Sequence, residues 1–162
     1  MTDFESLQDI ESIKALKHKY FRCLDSKLWD DLAECFAEDA VTSFTDGAFQ
    51  LQGRKSIMQF LRAGLGRDTF FGIHHGHHPE IEVINTNSAT CIWAARFYMI
   101  DTQGNTGMHS GAIYYDEYVK VDGEWKISST GYQSIFEETW DRGDIPSLEL
   151  TKNMFAITSE VE

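Results

Sequence analysis

A chain of 162 residues and 18.5 kDa is the size of one ordinary domain, long enough to bury a core without disulfide or metal staples. Its 14 Lys and Arg against 26 Asp and Glu leave a formal charge of −12. That balance excludes a nucleic-acid binder, which needs a basic stripe to neutralise phosphates, and it disfavours docking to an anionic membrane surface.

The first half reads as helical. Ile13, Leu16, Tyr20 and Leu24 recur at spacings of three and four and make one apolar face. Leu28, Leu32, Cys35 and Phe36 make a second, shorter helical face. Asp25-Ser26 stands between the two as a break and as the N-cap of the second helix. Ala40–Phe44 and Ala48–Leu51 flank Thr45-Asp46-Gly47 as a small hairpin, and Ile57, Phe60, Leu61 and Leu65 mark a third helix that starts near Gly53-Arg54.

From Pro79 the apolar period falls to two. Strands are predicted at Glu80–Ile84, Ser88–Asp101, Gly107–Val121 and Trp125–Phe136, with a strong hairpin signal at Asp122-Gly123. Three helices before a four-strand antiparallel meander make an α+β domain, helices on one face of the sheet. Strands this long must twist and curl, and a curled sheet closed by helices is a cone with a pocket. The domain is assigned to residues 1–140. Residues 141–162 form a tail whose Leu148, Leu150, Met154, Phe155 and Ile157 suit a docking arm, a lid or a loose end.

Cys23, Cys35 and Cys91 are odd in number and share no metal or redox spacing, so they read as buried reduced thiols. The N-terminal stretch lacks a basic flank followed by an apolar run, and no segment approaches the roughly 20 apolar residues of a membrane span. A cytoplasmic protein without a signal peptide is expected.

Four of the six histidines fall in one stretch: His74, His75, His77 and His78, just before Pro79. Neighbours on an extended chain point in opposite directions, so at most two of them share a face, and no HExxH motif supplies further ligands. No metal and no organic cofactor are expected. His75 and His78 read as structural, while one or two others could face the pocket as general acid/base, because imidazole titrates near neutrality. Tyr20 lies on the apolar stripe, where its phenol can donate to a carbonyl or enolate or simply serve the core. Asp25, five residues on, reaches a pocket only if the helix ends near it. His109 opens a strand and reads alone as a rim residue. Trp93, Arg96, Phe97, Tyr115 and Tyr132 read as core or cavity wall.

These motifs resemble a known family. Ile13-Lys-x-Leu16-x-x-x-Tyr20-Phe21, Leu24-Asp25-x-x-x-Trp29 and Leu32-x-x-x-Phe36-x-x-Asp39-Ala40-Val41 carry the resemblance. So do Gly53-Arg54, His74 five residues before Pro79, Gly111-x-x-Tyr114 with Tyr118, and Asp122-Gly123-x-Trp125-Lys126-Ile127. Over about residues 8–137 the pattern is similar to the SnoaL-like branch of the nuclear transport factor two-like superfamily. The resemblance implies a cone-shaped α+β barrel and a homodimer or higher oligomer. Its members include polyketide cyclases, scytalone dehydratase, steroid isomerases, bile-acid dehydratases and dioxygenase small subunits, so the fold does not fix the reaction.

Within that group Tyr20, Asp25 and His74 resemble the dehydratases' pocket Tyr, Asp and His. The His there is the acid/base, and the other two position it and the substrate. His109 resembles a second pocket His of scytalone dehydratase. The acid expected a few residues after Trp93 is replaced by Ala94-Ala95-Arg96-Phe97.

The resulting expectation is a cofactor-independent dehydratase or isomerase acting on a hydrophobic oxygenated ring compound: a steroid, polyketide or aromatic metabolite. His74, Asp25 and Tyr20 are its catalytic group, and His109, Trp93, Phe97 and Tyr132 its substrate contacts. The alternative is a non-catalytic small-molecule-binding module or the small subunit of a ring-hydroxylating dioxygenase. Two-sided apolar strands (Ile92, Arg96 and Tyr98 on one face, Cys91, Trp93 and Phe97 on the other) predict a dimer through the open sheet face, unless the tail covers it.

Overall fold

The computed structural model describes residues 3–156; Ile157 lies outside them. Helices α1 (Asp3–Asp25), α2 (Trp29–Ala33) and α3 (Arg54–Leu65) pack on a strongly curved six-stranded sheet. Its strands are β1 (Phe36–Phe44), β2 (Phe49–Gln52), β3 (Phe70–Asn85), β4 (Ser88–Asp101), β5 (Thr106–Val121) and β6 (Glu124–Asp141). The order is β2-β1-β6-β5-β4-β3. Strands β3 to β6 form the antiparallel meander, and β1 joins it as a parallel neighbour of β6. The α+β cone is the architecture read from the sequence.

Ile13, Tyr20 and Leu24 are buried on the core side of α1, as their spacing requires. The helix then closes in a Schellman motif: Leu28 N–H donates to Cys23 O at 2.8 Å, Lys27 N–H donates to Leu24 O at 3.2 Å, and Lys27 takes φ +57°. Asp25 is therefore the last helical residue and no N-cap. Leu28 precedes α2, which has no side-chain cap, and the helix is a single turn that ends before Phe36, the first residue of β1. The reason is competition: the Asp25 carboxylate is taken by a partner on β3.

Strand β3 starts at Phe70, ten residues ahead of the predicted Glu80, so the histidine cluster lies inside a strand. No period-two apolar signal marks this stretch, because Gly72 and Gly76 fill inward positions and His75 and His77 outward ones. Inward Gly76 is required by a close approach: a Cβ there would meet the Phe21 ring of α1 at 2.5 Å. A bulge at His78-Pro79, with His78 at φ +49°, shifts the register between His77 and Glu80. Proline is tolerated because β3 is an edge strand.

Strand β6 likewise runs past Phe136 to Asp141. Beyond a short 3-10 turn at Arg142–Asp144 the chain is irregular. Phe155 rests on Phe71 and under the Lys27 ammonium, while Leu148 and Leu150 stay exposed. Ile92, Tyr98, Tyr115, Ile135 and Phe136 are exposed on the convex side of the sheet.

Candidate active site

The concave side of the sheet, roofed by α1 and α3, encloses a cavity of about 220 Å³. Phe44 and Phe60 wall one side and Phe97 and Met99 the other, with Tyr20, His74, Tyr114 and Tyr132 adding the polar atoms. No Asp, Glu, Lys or Arg among the described residues lines it. Uncharged walls of this kind suit an uncharged guest.

His74 reaches the cavity because it is inward on β3 beside Gly76, whose missing side chain lets Phe21 of α1 come close. Asp25, the last residue of α1, holds it twice. One carboxylate oxygen accepts the His74 backbone N–H at 2.9 Å, and the other lies 2.6 Å from Nδ1. A carboxylate can only accept, so Nδ1 carries a proton, and Nε2 is the ring nitrogen this hold leaves for a guest. The two side chains are 10% and 18% exposed. Phe21 stacks on the imidazole at 6.2 Å, and Phe97 lies 4.9 Å from it between centroids. Two phenyl rings and the Asp25 carboxylate thus hold the imidazole.

Tyr20 and Tyr114 both line the cavity. Burial, then the charge of Asp116, pushes the Tyr20 phenol well above its ordinary range, and burial does the same for Tyr114. Both remain neutral donors at any physiological pH. Tyr132 packs on Tyr114 and Phe97, and its hydroxyl meets Thr45 Oγ1 at 3.2 Å. A free imidazole nitrogen beside neutral phenols can remove a proton next to a carbonyl whose oxygen the phenols hold.

Of the other sequence candidates, Phe97 and Tyr132 line this cavity, whereas Trp93 and His109 do not. Trp93 is inward but deeper, in the closed end of the cone, with Nε1 donating to Tyr118 Oη at 3.2 Å. His109 is outward on β5. Its Nε2 accepts from the Arg96 guanidinium at 2.8 Å, and both sit in a surface groove with His75 and Tyr98. Strand parity decides this: Met108 and Ser110 take the inward positions on either side of it. Among the described residues, no three His, Cys, Asp or Glu side chains converge on a point that could hold a metal ion.

Sequence reasoning missed an ion pair below the tyrosines. Lys17 and Asp116 are both fully buried, with Nζ 2.7 Å from Oδ2. The signal was present: Lys17 falls four residues after Ile13 on the apolar stripe, and Asp116 lies between Tyr114 and Tyr118 in the inward alternation of β5.

A family model described as a SnoaL-like domain matches residues 5–131. The fold also matches solved structures. A candidate scytalone dehydratase from Novosphingobium aromaticivorans DSM 12444 superposes with TM-score 0.78 at 24% identity, covering 86% of this chain and 91% of that one. The hexachlorocyclohexane dehydrochlorinase LinA-type3 from Novosphingobium barchaimii LL02 gives TM-score 0.77 at 19% identity over 86% and 94%. A nuclear transport factor two-like protein with a cystatin-like fold, from Novosphingobium aromaticivorans, gives 0.67 at 19% over 82% and 85%. At these identities the likeness is one of fold.

Proposed function

We propose that this chain, which belongs to the SnoaL-like domain family, is a cofactor-independent dehydratase or isomerase of an uncharged, oxygenated ring compound. The observation that carries the reading is the double hold of Asp25 on His74, which turns Nδ1 to the carboxylate and leaves Nε2 as the nitrogen for proton transfer. His74 removes a proton from carbon next to a carbonyl, and Tyr20 donates to the oxygen as it gains enolate character. The imidazolium then returns the proton, either to a leaving hydroxyl (dehydration) or to another carbon (isomerisation). Asp25 keeps the imidazole in one tautomer and steadies its charged form. The relatives named dehydratase and dehydrochlorinase support an elimination on this fold. The inward alanine and phenylalanine at positions 95 and 97 supply no second acid, so His74 serves both steps.

Proton exchange tests this without knowledge of the natural substrate. The protein should speed deuterium uptake at the acidic carbon of 2-tetralone in heavy water, followed by NMR. His74→Gln should slow it by about 10²–10⁴-fold. Equal exchange by the two proteins would sink the mechanism.

The exposed Ile92, Tyr98, Tyr115, Ile135 and Phe136 on the convex face support a homodimer that covers them, with the described part of the tail, residues 142–156, leaving that face open. Light scattering should then read twice the 18.5 kDa chain mass; a monomer at micromolar concentration excludes this assembly. Three free, buried cysteines support a cytoplasmic location. No helix among the described residues is long and apolar enough to cross a membrane.

A further inference from the structure

The mechanism makes no use of the most costly feature of the core. Lys17 and Asp116 form an ion pair at zero side-chain exposure, and removing two charges from water costs several kcal/mol per ion. Apolar residues of similar volume would do as well for stability. Both carboxylate oxygens are satisfied. Asp116 Oδ2 accepts from Lys17 and from Tyr118 Oη, both at 2.7 Å, and Oδ1 accepts from Thr130 Oγ1 at 2.6 Å. It is also oriented. The carboxylate is gripped on the side of Tyr118 and Thr130, while the ammonium lies over the faces of the cavity tyrosines, 4.0 Å from the Tyr114 centroid and 4.7 Å from that of Tyr20. The other titratable groups facing Lys17 are Cys91 and Cys35, whose thiols burial pushes up to about 12 and about 11. Both are neutral at physiological pH, so Lys17 faces one anion only.

We infer that Lys17 and Asp116 are positioning residues: a fixed dipole in which the carboxylate by itself opposes negative charge at Tyr20 and Tyr114, and the ammonium over both rings outweighs it and favours negative charge on a substrate oxygen held by those hydroxyls. The inference rests on the acid–base reading of the cavity and adds to it the group that stabilises the developing enolate. Dipoles set in place before reaction, in a site without water, need no reorganisation when charge appears. The pair does this across the tyrosine rings and touches no substrate.

The test uses 4-nitrophenol as an enolate mimic, because its phenolate is yellow and its phenol is not. Absorbance across pH reports the ionised fraction of the bound probe. Wild type should lower the apparent pKa of the bound probe relative to water. The double variant K17M/D116N removes both charges together, so no unpaired ion is left to unfold the chain. It should melt at or above the wild-type temperature and shift the ionised-to-neutral ratio of bound probe back by about tenfold, one pKa unit. A purely structural pair would change the melting temperature and leave the ratio alone. Equal ratios in the two folded proteins overturn the proposal, as does a wild type that fails to bind the probe, which overturns the cavity reading as well. If the probe ratio shifts as expected but 2-tetralone exchange is the same in wild type and His74→Gln, the dipole stands and the His74 mechanism falls.

Discussion

The cone holds two pairs of carboxylate and base, Asp25–His74 and Asp116–Lys17, and they differ in their access to water. Asp25 and His74 sit where α1 ends, 18% and 10% exposed, with one imidazole nitrogen left over for a guest. Asp116 and Lys17 sit at 0%, with both carboxylate oxygens already accepting hydrogen bonds and the ammonium over the tyrosine faces. Phe21 separates the two, stacked on His74 and 5.1 Å from the Lys17 ammonium. Opposite charges close together do not by themselves make an acid–base catalyst. The wetter pair can gain and lose protons, and the sealed pair can act only through its field.

Deleting one partner of the sealed pair gives the largest expected effect. Asp116→Ala strands the Lys17 charge in the core and should cost about 3–5 kcal/mol, read by urea denaturation. A loss below 1 kcal/mol would show that water reaches the pair and would erase the contrast. At the wetter pair the expected loss is in rate. Asp25→Asn can turn its amide toward Nδ1 and favour the wrong tautomer, so 2-tetralone exchange should fall by about 10²-fold, with the melting temperature nearly unchanged. An unchanged rate would reduce Asp25 to a structural clamp.

The partition itself can be strained. Gly76→Ala places a methyl against Phe21, 2.5 Å from its ring, and should cost about 1–3 kcal/mol while displacing the ring that clamps His74. A fully stable variant with normal exchange would make the partition incidental. The smallest effect belongs to a third carboxylate, Asp9, at the rim. Its Oδ1 accepts from Lys120 Nζ at 2.7 Å and Trp125 Nε1 at 2.8 Å. Burial opposes ionisation, but these bonds outweigh it and hold the carboxyl below its usual 3.8. Its stabilisation is therefore complete above pH 3.8 and fades as pH falls through the lower folded value. Asp9→Asn should lose about 1 kcal/mol at neutral pH and approach wild-type stability in strong acid. A constant difference across that range would mean that packing, not charge, ties α1 to the β5–β6 turn.

Much of this was legible in the residue order. The spacing of Ile13, Tyr20 and Leu24 set the buried face of α1, and the alternation from Ser88 onward set which side chains of β4 face inward, because helix and strand periods are local properties of the backbone. The hairpin at Asp122-Gly123 followed from the positive φ that both residues adopt. Tertiary structure decided the rest. The strand through the histidines has no local signature: inward Gly76 admits Phe21 from α1, and inward Gly72 sits against Tyr98 and Met99 of β4. Asp25 became the partner of His74, and not a helix cap, because β3 brought a donor to it. Lys17 lies on an apolar stripe, and only the fold brings Asp116 from β5 to neutralise it. Periodicity tells which face a side chain occupies, but a polar group's role depends on what lies opposite, and only the closing of the sheet onto the helices supplies that partner.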